Sequence, residues 1–296
     1  MSANSKIEWT DHTFNPWWGC VRVSPACRFC YADRDASRYG HDLWRKNGDR
    51  RMLSDQHWRQ PLRWNREAEA AGRPALVFCA SMADVFEDRR DLDAPRERLW
   101  RLIGETPWLI WQLLTKRPEN VVRLTPWGND WPDHVWLGAS AENQRFAEQR
   151  IPELLKVPAR THFLSCEPLL GPLNLAPWMD SLPAIDWVIT GGESGAKARP
   201  SHPDWFSDVR DQCVRAGIAY HHKQNGIWAP RRYGPERDPW TDKRVRWIDQ
   251  TGRTHPFGDF TGDQSWALIQ RTSKEAAGRL LDGRTWDELP GGDRHG

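Results

Sequence analysis

The segment "WLIWQLLTKRPENVVRL", residues 108–124, contains a nearly unbroken apolar run, then polar residues, then a stretch that favours a helix. Such an apolar run is typical of a β-strand that is covered on both faces. The same succession recurs along the chain. It predicts strands at residues 13–19, 75–81, 108–114, 134–139, 161–166, 187–190 and 218–223.

Amphipathic segments that favour helices lie between these strands, at residues 32–47, 55–71, 91–104, 119–124, 143–155 and 203–216. The second of them follows Ser54, a good helix cap, and ends at Gly72, while Pro61 predicts a kink inside it. Regular alternation of strand and helix is typical of a parallel sheet. We therefore predict an α/β fold, most simply a partial (β/α)6 TIM-like barrel, with a doubly wound open sheet as the alternative.

The composition changes after Gly226, where glycine, proline and charged residues become frequent. In this region "RVRWIDQTGRTHPF", residues 244–257, alternates about Thr251 and Gly252, which predicts a β-hairpin. The stretch 272–290 predicts a short helix, a turn and a tail. We predict a barrel over residues 1–225 and a C-terminal appendage over residues 226–296, packed on the barrel.

Charge and hydropathy restrict the classes of function. The 296 residues are 28% charged, with a net charge of only +2, which argues against a strongly basic nucleic-acid binder but allows a local basic groove. No apolar run approaches the roughly 20 residues of a membrane-spanning helix. The polar N-terminus lacks the apolar core of a signal peptide. The expectation is a soluble, cytoplasmic protein with no membrane partner.

Polar residues follow every predicted strand. Because the carboxyl ends of parallel strands meet at one edge of a sheet, these residues are candidates for a shared site. By position we predict that the substrate contacts are Lys116, Glu167, Glu193 and Lys223. The candidate ligand contacts are Ser81 and Asp84 after the second strand, Ser140, Glu142 and Asn143 after the fourth, and Gly191 and Gly192 after the sixth.

Half of the six cysteines lie in one short segment, "CVRVSPACRFC", whereas Cys79, Cys166 and Cys213 are isolated in segments predicted to be buried. Clustered cysteines in a cytosolic protein indicate a metal site. Zinc would need a fourth ligand, for which His12 or His41 is available. Three thiolates also suit a [4Fe–4S] cluster in which one iron stays open to a ligand.

The three cysteines after the first strand, with "CRFC" as the last pair, resemble the radical S-adenosylmethionine (SAM) superfamily, although the six residues between Cys20 and Cys27 exceed its commonest spacing. Further segments are similar to a family of often phage-encoded proteins with a radical-SAM-like barrel: "IEWTDHTFNPWWGC", "FCASMADVF", "LLTKRPEN", "SCEPLLGP", "VITGGESG" and "KEAAGRLLDGRTWDELP". The resemblance implies a [4Fe–4S] cluster, SAM and a reductant such as flavodoxin or ferredoxin.

The resemblance also assigns roles. It implies that Cys20, Cys27 and Cys30 hold the cluster, that Phe29 lies against the SAM adenine, and that a polar group such as Ser81 or Asp84 contacts the SAM amino group. Reductive cleavage of SAM would abstract hydrogen from a substrate. The phage association suggests a nucleic acid or a nucleotide as that substrate, and the oligomeric state stays open.

Two other functions fit parts of the sequence. Glu167 and Glu193, at the ends of adjacent predicted strands, suit a glycoside hydrolase with paired carboxylates. A nucleic-acid-binding protein with a cysteine-bound metal would use the basic and aromatic stretch "RRYGPERDPWTDKRVRW", residues 231–247. The first alternative leaves the cysteine loop unexplained.

Overall fold

The computed structural model describes Ser5 and residues 7–180, 184–231, 242–255 and 266–291. The strands in these residues are β1 (His12–Thr13), β2 (Trp17–Trp18), β3 (Arg51–Met52), β4 (Ala75–Cys79), β5 (Leu109–Thr115), β6 (Val135–Ser140), β7 (His162–Cys166), β8 (Trp187–Gly191), β9 (Ala219–Gln224), β10 (Trp228–Pro230), β11 (Val245–Asp249), β12 (Thr254–His255) and β13 (Trp266–Arg271).

The α-helices are α1 (Tyr31–Arg38), α2 (Asp55–Trp58), α3 (Gln60–Ala70), α4 (Asp93–Gly104), α5 (Val121–Leu124), α6 (Gln144–Leu154), α7 (Pro203–Ala216) and α8 (Lys274–Ala277). Short 3-10 turns occur at Pro25–Phe29, Arg90–Leu92, Pro118–Asn120 and Ala176–Trp178. Within the described residues, none of the helices has both the length and the apolar character needed to cross a membrane.

The main sheet has seven strands in the order β1-β4-β5-β6-β7-β8-β9, and its strand pairs β1–β4, β4–β5, β5–β6 and β8–β9 are parallel. Each strand of this sheet lies beside the strand of the same sheet that precedes it in the chain, so the crossovers all run in the same direction. A doubly wound sheet instead reverses its order at a switch point. The predicted partial TIM-like barrel of α/β class is therefore confirmed, and the doubly wound alternative is wrong.

Six of the predicted strands agree with observed ones to within two residues, because their side chains are buried on both faces. All residues of β6, β7 and β8 are buried. The predicted strand at residues 13–19 is wrong in extent, since β1 covers only His12 and Thr13. Pro16, which has no N–H for a ladder, precedes β2, and β2 pairs with β3 instead.

Two predicted helices are divided or shortened by their own residues. The segment 55–71 is split at Arg59 into α2 and α3, and Pro61 occupies the first turn of α3, as its predicted kink implied. The Ser54 side chain accepts from the His57 backbone N–H and so caps α2. The predicted helix 32–47 ends early, at Arg38, because Gly40 adopts a left-handed φ of 77°.

The chain forms two compact units. The first contains residues 1–140 and 149–163, and the second contains residues 141–148 and 164–296. A smaller antiparallel sheet in the second unit has the order β10-β13-β11-β12. Its β11–β12 pair confirms the hairpin predicted about Thr251 and Gly252. The predicted division at residue 225 stays a prediction.

Candidate functional site

The cysteine loop follows β2 in the first unit. Cys20, Cys27 and Cys30 are all partly exposed, whereas Cys79, Cys166 and Cys213 are buried. Pro25 opens a 3-10 turn that contains Cys27, whose Sγ lies 3.7 Å from the Ser24 hydroxyl. Cys30 directly precedes α1. Local turn chemistry therefore leaves three partly exposed cysteines on one loop.

An apolar cluster brings the first and the last of these cysteines onto one surface. Cys20 and Cys30 both pack against the cluster, which consists of Ala32, Ala36, Leu43, Trp44 and Met82. Gly19 makes the approach possible, since its φ is +114° and a Cβ there would lie 2.8 Å from the Leu43 carbonyl oxygen. Residues of α1 and of the loop after β4 thus line the surface on which Cys20 and Cys30 lie.

Burial keeps two of these thiols protonated in the absence of a metal. It raises the pKa of Cys20 to about 12, against the opposing effect of Arg117. It also raises the pKa of Cys30, against hydrogen bonds from the backbone and the charge of Lys116. Ligation of a metal displaces these protons, so nearby cations favour the ligated form.

The thiol donors of the cysteine loop are of the type that holds an iron–sulfur cube. Among the described residues, no three His, Cys, Asp or Glu side chains converge on one metal position. His12, a predicted zinc partner, instead stacks on Trp64 with ring centroids 4.3 Å apart. A cube binds each cysteine through a different iron, so its thiols need not converge on one point. The thiol chemistry and partial exposure of the three cysteines suit such a group.

Arg117 connects the cysteine loop to the ends of β4 and β5. Its Nη1 lies 2.8 Å from Asp84 Oδ2 and 3.6 Å from Cys20 Sγ, and its Nη2 donates to the Val21 carbonyl oxygen at 2.8 Å. The sequence places Arg117 beside Lys116 at a strand end, but nothing in the local pattern identifies its partners. It is the main site residue that the sequence prediction missed.

Asp84 holds this arginine in place. It also accepts hydrogen bonds from the Thr115 hydroxyl at 2.8 Å and from the backbone N–H groups of Lys116 and Phe86. Burial acts to raise the pKa of Asp84, but Arg117 and these hydrogen bonds outweigh it, so the pKa is lowered and the group is a carboxylate. Its predicted contact with the SAM amino group stays a prediction, since the observed contacts are internal.

Ser81 lies beside the loop and is held by two residues that the sequence did not single out. The Asn15 side chain donates from Nδ2 to Ser81 Oγ at 3.1 Å and accepts from the Met82 backbone N–H at 2.7 Å. The Tyr31 hydroxyl donates to the Ser81 carbonyl oxygen at 3.0 Å. Together these bonds connect the chain after β1, the start of α1 and the end of β4.

Lys116 and Ser140 meet at the ends of the neighbouring strands β5 and β6, where the Lys116 amine donates to the Ser140 hydroxyl at 2.8 Å. The charge of Lys116 also acts on Cys30. The structure therefore gathers Cys20, Cys30, Ser81, Lys116 and Ser140 around one end of the first unit. Phe29 lies on the same loop, with the Arg28 Cζ 5.2 Å from its ring centroid.

The other predicted residues belong to the second unit, and three of them take part in two ion pairs. Lys223 Nζ lies 3.2 Å from both carboxylate oxygens of Glu167. Arg199 binds Glu193 through Nε at 2.9 Å and Nη2 at 2.6 Å, and its backbone N–H adds a third bond at 2.7 Å. Both carboxylates predicted for a glycoside hydrolase are thus engaged by separate cations.

The two predicted glycines approach protein groups closely. A Cβ on Gly191 would lie 2.4 Å from Glu167 Oε1, and one on Gly192 would lie 2.2 Å from the Asn225 carbonyl oxygen. The described structure thus explains both glycines by packing, and their predicted contact with a ligand stays a prediction. Glu142 is fully buried, and Asn143 Oδ1 accepts from the Phe146 backbone N–H at the start of α6.

His222 is a buried group of the second unit that the sequence did not single out. Its Nδ1 lies 3.0 Å from the Thr190 hydroxyl and its Nε2 lies 3.1 Å from Asn225 Oδ1. Burial lowers the pKa of His222 to about 4, although the bond to Asn225 opposes this shift. The imidazole is therefore neutral at physiological pH.

The chain belongs to the family described as Protein of unknown function (DUF5131), whose profile matches residues 4–290. No curated protein matches the chain. Among solved structures, it is similar to a double mutant of spore photoproduct lyase with bound AdoMet and dinucleoside spore photoproduct, with 12% sequence identity and a TM-score of 0.46. It is also similar to spore photoproduct lyase complexed with dinucleoside spore photoproduct, with 12% identity and a TM-score of 0.47. Each match covers 92% of this chain and 72% of the other.

Proposed function

We propose that this member of the DUF5131 family is a radical SAM enzyme in which Cys20, Cys27 and Cys30 hold a [4Fe–4S] cluster. The observation that carries the proposal is the placement of three partly exposed cysteines on one loop, with Arg117 in contact with Cys20 and the charge of Lys116 acting on Cys30. Thiolate ligands are anionic, so these two cations stabilise the loaded state. Cys79, Cys166 and Cys213 are buried instead.

When bound, a cluster with three protein ligands supplies one electron at its open iron for the reductive cleavage of SAM, which leads to hydrogen abstraction from a substrate. The chain itself positions the three cysteines. Arg117 contacts Cys20 and the Val21 carbonyl oxygen and is itself bound to the Asp84 carboxylate. It therefore holds the start of the cysteine loop in place. The 3-10 turn and α1 then fix the second and third cysteines.

The contacts proposed for SAM follow from this placement. Phe29, between the last two cysteines, is proposed to lie against the adenine, and Ser81, beside the loop, to contact the amino group. Lys116, predicted above as a substrate contact, is here proposed as the partner of the SAM carboxylate, because its amine bonds a neutral hydroxyl in the described structure. Ribose contacts by Ser140, Glu142 and Asn143 and a ligand approach to Gly191 and Gly192 remain part of the proposal.

The proposal is less specific about the substrate than about the cluster and SAM. Glu167, Glu193 and Lys223 are proposed to contact the substrate, for which a nucleic acid or a nucleotide is the class favoured by the basic residues near the cysteine loop. A reductant such as flavodoxin or ferredoxin would supply the electron. Because Glu167 and Glu193 are each bound to a cation, the structure gives no support to the glycoside hydrolase alternative.

The test is anaerobic reconstitution of the full chain with iron and sulfide, followed by reduction, addition of SAM and measurement of 5′-deoxyadenosine. We expect a brown protein with close to four irons per chain that releases this nucleoside. Cys30→Ala should lose both the cluster and the nucleoside. Cys213→Ala is the matched control, because it removes a buried thiol from α7, and it should retain both.

Two outcomes would contradict the proposal. A colourless protein with one tightly bound zinc per chain would indicate a metal-stabilised binding protein instead. Release of 5′-deoxyadenosine at the wild-type rate by Cys30→Ala would show that the ligands are assigned incorrectly.

A further inference from the structure

The positive charge of the chain is concentrated beside the cysteine loop. Residues 17–52 contain eight Arg or Lys residues, four Asp and no Glu, a net charge of +4, whereas the whole chain carries +2. The rest of the chain is therefore net acidic, with a charge of −2. A local basic surface on a nearly neutral protein is typical of a binding site for a polyanion.

Aromatic rings lie on the same surface. Trp18 is partly exposed, and the Arg51 guanidinium carbon lies 4.7 Å from its ring centroid. The Tyr39 and His41 rings lie 6.5 Å and 6.1 Å from the Trp18 ring. Tyr39 is 73% exposed, an unusual degree for a large aromatic side chain. We refer to Trp18, Tyr39, His41 and Arg51 as the aromatic patch.

The eight cations of this region fall into three groups. Arg50 is buried and is bound to Glu87. The arginines that pair with aspartates of the same segment are Arg22, Arg34, Arg38 and Arg45. Arg28, Lys46 and Arg51 are exposed, and within the described ranges they make no ion pair with an acidic side chain. These three side chains can bind external anions without first breaking an internal salt bridge.

The patch adjoins the proposed cluster site. Trp18, Cys20 and Cys30 pack against the same apolar cluster around Leu43 and Trp44. A strand of nucleic acid bound on the patch would therefore reach the cysteine loop. The further statement that this strand is also the substrate rests on the proposed function.

We propose that the aromatic patch, together with Arg28 and Lys46, binds single-stranded nucleic acid. Bases stack on the exposed rings, and phosphates bind the cations that lack an acidic partner. A single strand uses both features at once, because its base faces are free. A duplex hides these faces in its stack, and an acidic peptide uses only the charges.

The experiment measures fluorescence anisotropy of a labelled oligothymidylate with the full chain, both metal-free and reconstituted, over a series of salt concentrations. We expect affinity to fall linearly with salt on logarithmic axes. Replacing Arg28, Lys46 and Arg51 together by Ala should reduce the magnitude of this slope by about 2, since each phosphate contact contributes about 0.7 for a single strand. Tyr39→Ala should weaken binding about tenfold, and Tyr39→Phe should restore it.

A matched control replaces Arg66, Arg73 and Arg101 by Ala, which removes the same charge from exposed positions of the first unit outside the patch. This variant should keep the wild-type slope. The proposal is overturned if the control loses as much affinity as the patch variant, if Tyr39→Ala binds like the wild type, or if polyglutamate competes as well as the oligonucleotide. Binding is measured without SAM, so a negative result leaves the test of cluster chemistry unaffected.

Discussion

Lys116 and Lys223 both lie at strand ends, but they have different partners. In the first unit, the Lys116 amine donates to the neutral hydroxyl of Ser140. In the second unit, the Lys223 amine is bound to the Glu167 carboxylate, and Glu193 is likewise bound to Arg199. The first unit therefore presents a cation available to an anionic ligand, whereas the charges of the second unit largely neutralise one another. The contrast supports the proposed placement of an anionic ligand beside the cysteine loop.

The largest expected effect is that of Arg117→Met. Arg117 and Asp84 are only 9% and 8% exposed, so the variant leaves a buried carboxylate without its cation and should lower the free energy of unfolding by about 3–5 kcal/mol. Urea unfolding monitored by tryptophan fluorescence measures the change. Arg123→Met, which breaks the exposed pair with Asp88, is the control and should cost about 1 kcal/mol or less. Equal costs would contradict the structural role of Arg117.

The second expected effect is a pH dependence from His222. Because its pKa is about 4 in the folded protein and about 6.5 in the unfolded chain, the unfolded chain binds the extra proton. His222 therefore contributes stability that is fully present above pH 6.5 and is lost as the pH falls to 4, a change of about 3 kcal/mol. Urea unfolding of the wild type and of His222→Gln at a series of pH values tests this. Parallel pH curves for the two proteins would show that His222 does not titrate in this way.

The third effect separates the two glycines of the second unit. Gly192→Ala places a Cβ against backbone atoms of Asn225, which cannot move aside easily, whereas Gly191→Ala meets the flexible end of Glu167. Overpacking costs about 1–3 kcal/mol, so we expect the upper part of this range for Gly192→Ala and the lower part for Gly191→Ala. Thermal unfolding of both variants shows which of the two substitutions destabilises the protein more. The reverse order would mean that Glu167 is held more rigidly than its ion pair with Lys223 implies.

The smallest effect on stability is that of Lys116→Met, and its comparison with Lys223→Met is the sharpest test of the difference between the units. Lys116→Met should change the free energy of unfolding by about 1 kcal/mol or less, because its amine bonds a neutral hydroxyl. Lys223→Met leaves the mostly buried Glu167 without its cation and should cost about 1–3 kcal/mol. Lys116→Met should weaken SAM binding to the reconstituted protein about tenfold, because it removes one charge-assisted contact. Lys223→Met should leave SAM affinity unchanged. Calorimetric titration with SAM measures both affinities. An equal loss of SAM affinity in the two variants would contradict the distinction between the units.

The sequence predicts well what depends on local pattern. Strands β4 to β9 follow from apolar runs, the hairpin about Gly252 from its turn residues, and the division at Arg59 from Pro61. The predicted first strand is too long, because the run after Thr13 contains aromatic residues that pair with Arg51 and Met52 rather than with β4. Whether this run pairs with β3 or with β4 is decided by long-range strand pairing, which the local pattern does not show.

The site is predicted less completely for the same reason. The three cysteines and Lys116 could be selected by type and position. Arg117 is 97 residues away from Cys20 in the sequence, and Asn15 is 66 residues away from Ser81, so no local pattern identifies these contacts. The position of Asp84 after a strand makes it a candidate, but no local pattern predicts its internal bonds to Arg117 and Thr115.

The chain-ordered sheet has a consequence for biosynthesis. Since each strand of the main sheet is added beside its predecessor, a chain emerging from the ribosome can extend the sheet at a single growing edge. The thiol of Cys20 and its guanidinium partner are both present once residue 117 has been made. Assembly of the surroundings of this cysteine therefore does not have to wait for the second unit, whose main-sheet strands are synthesised later.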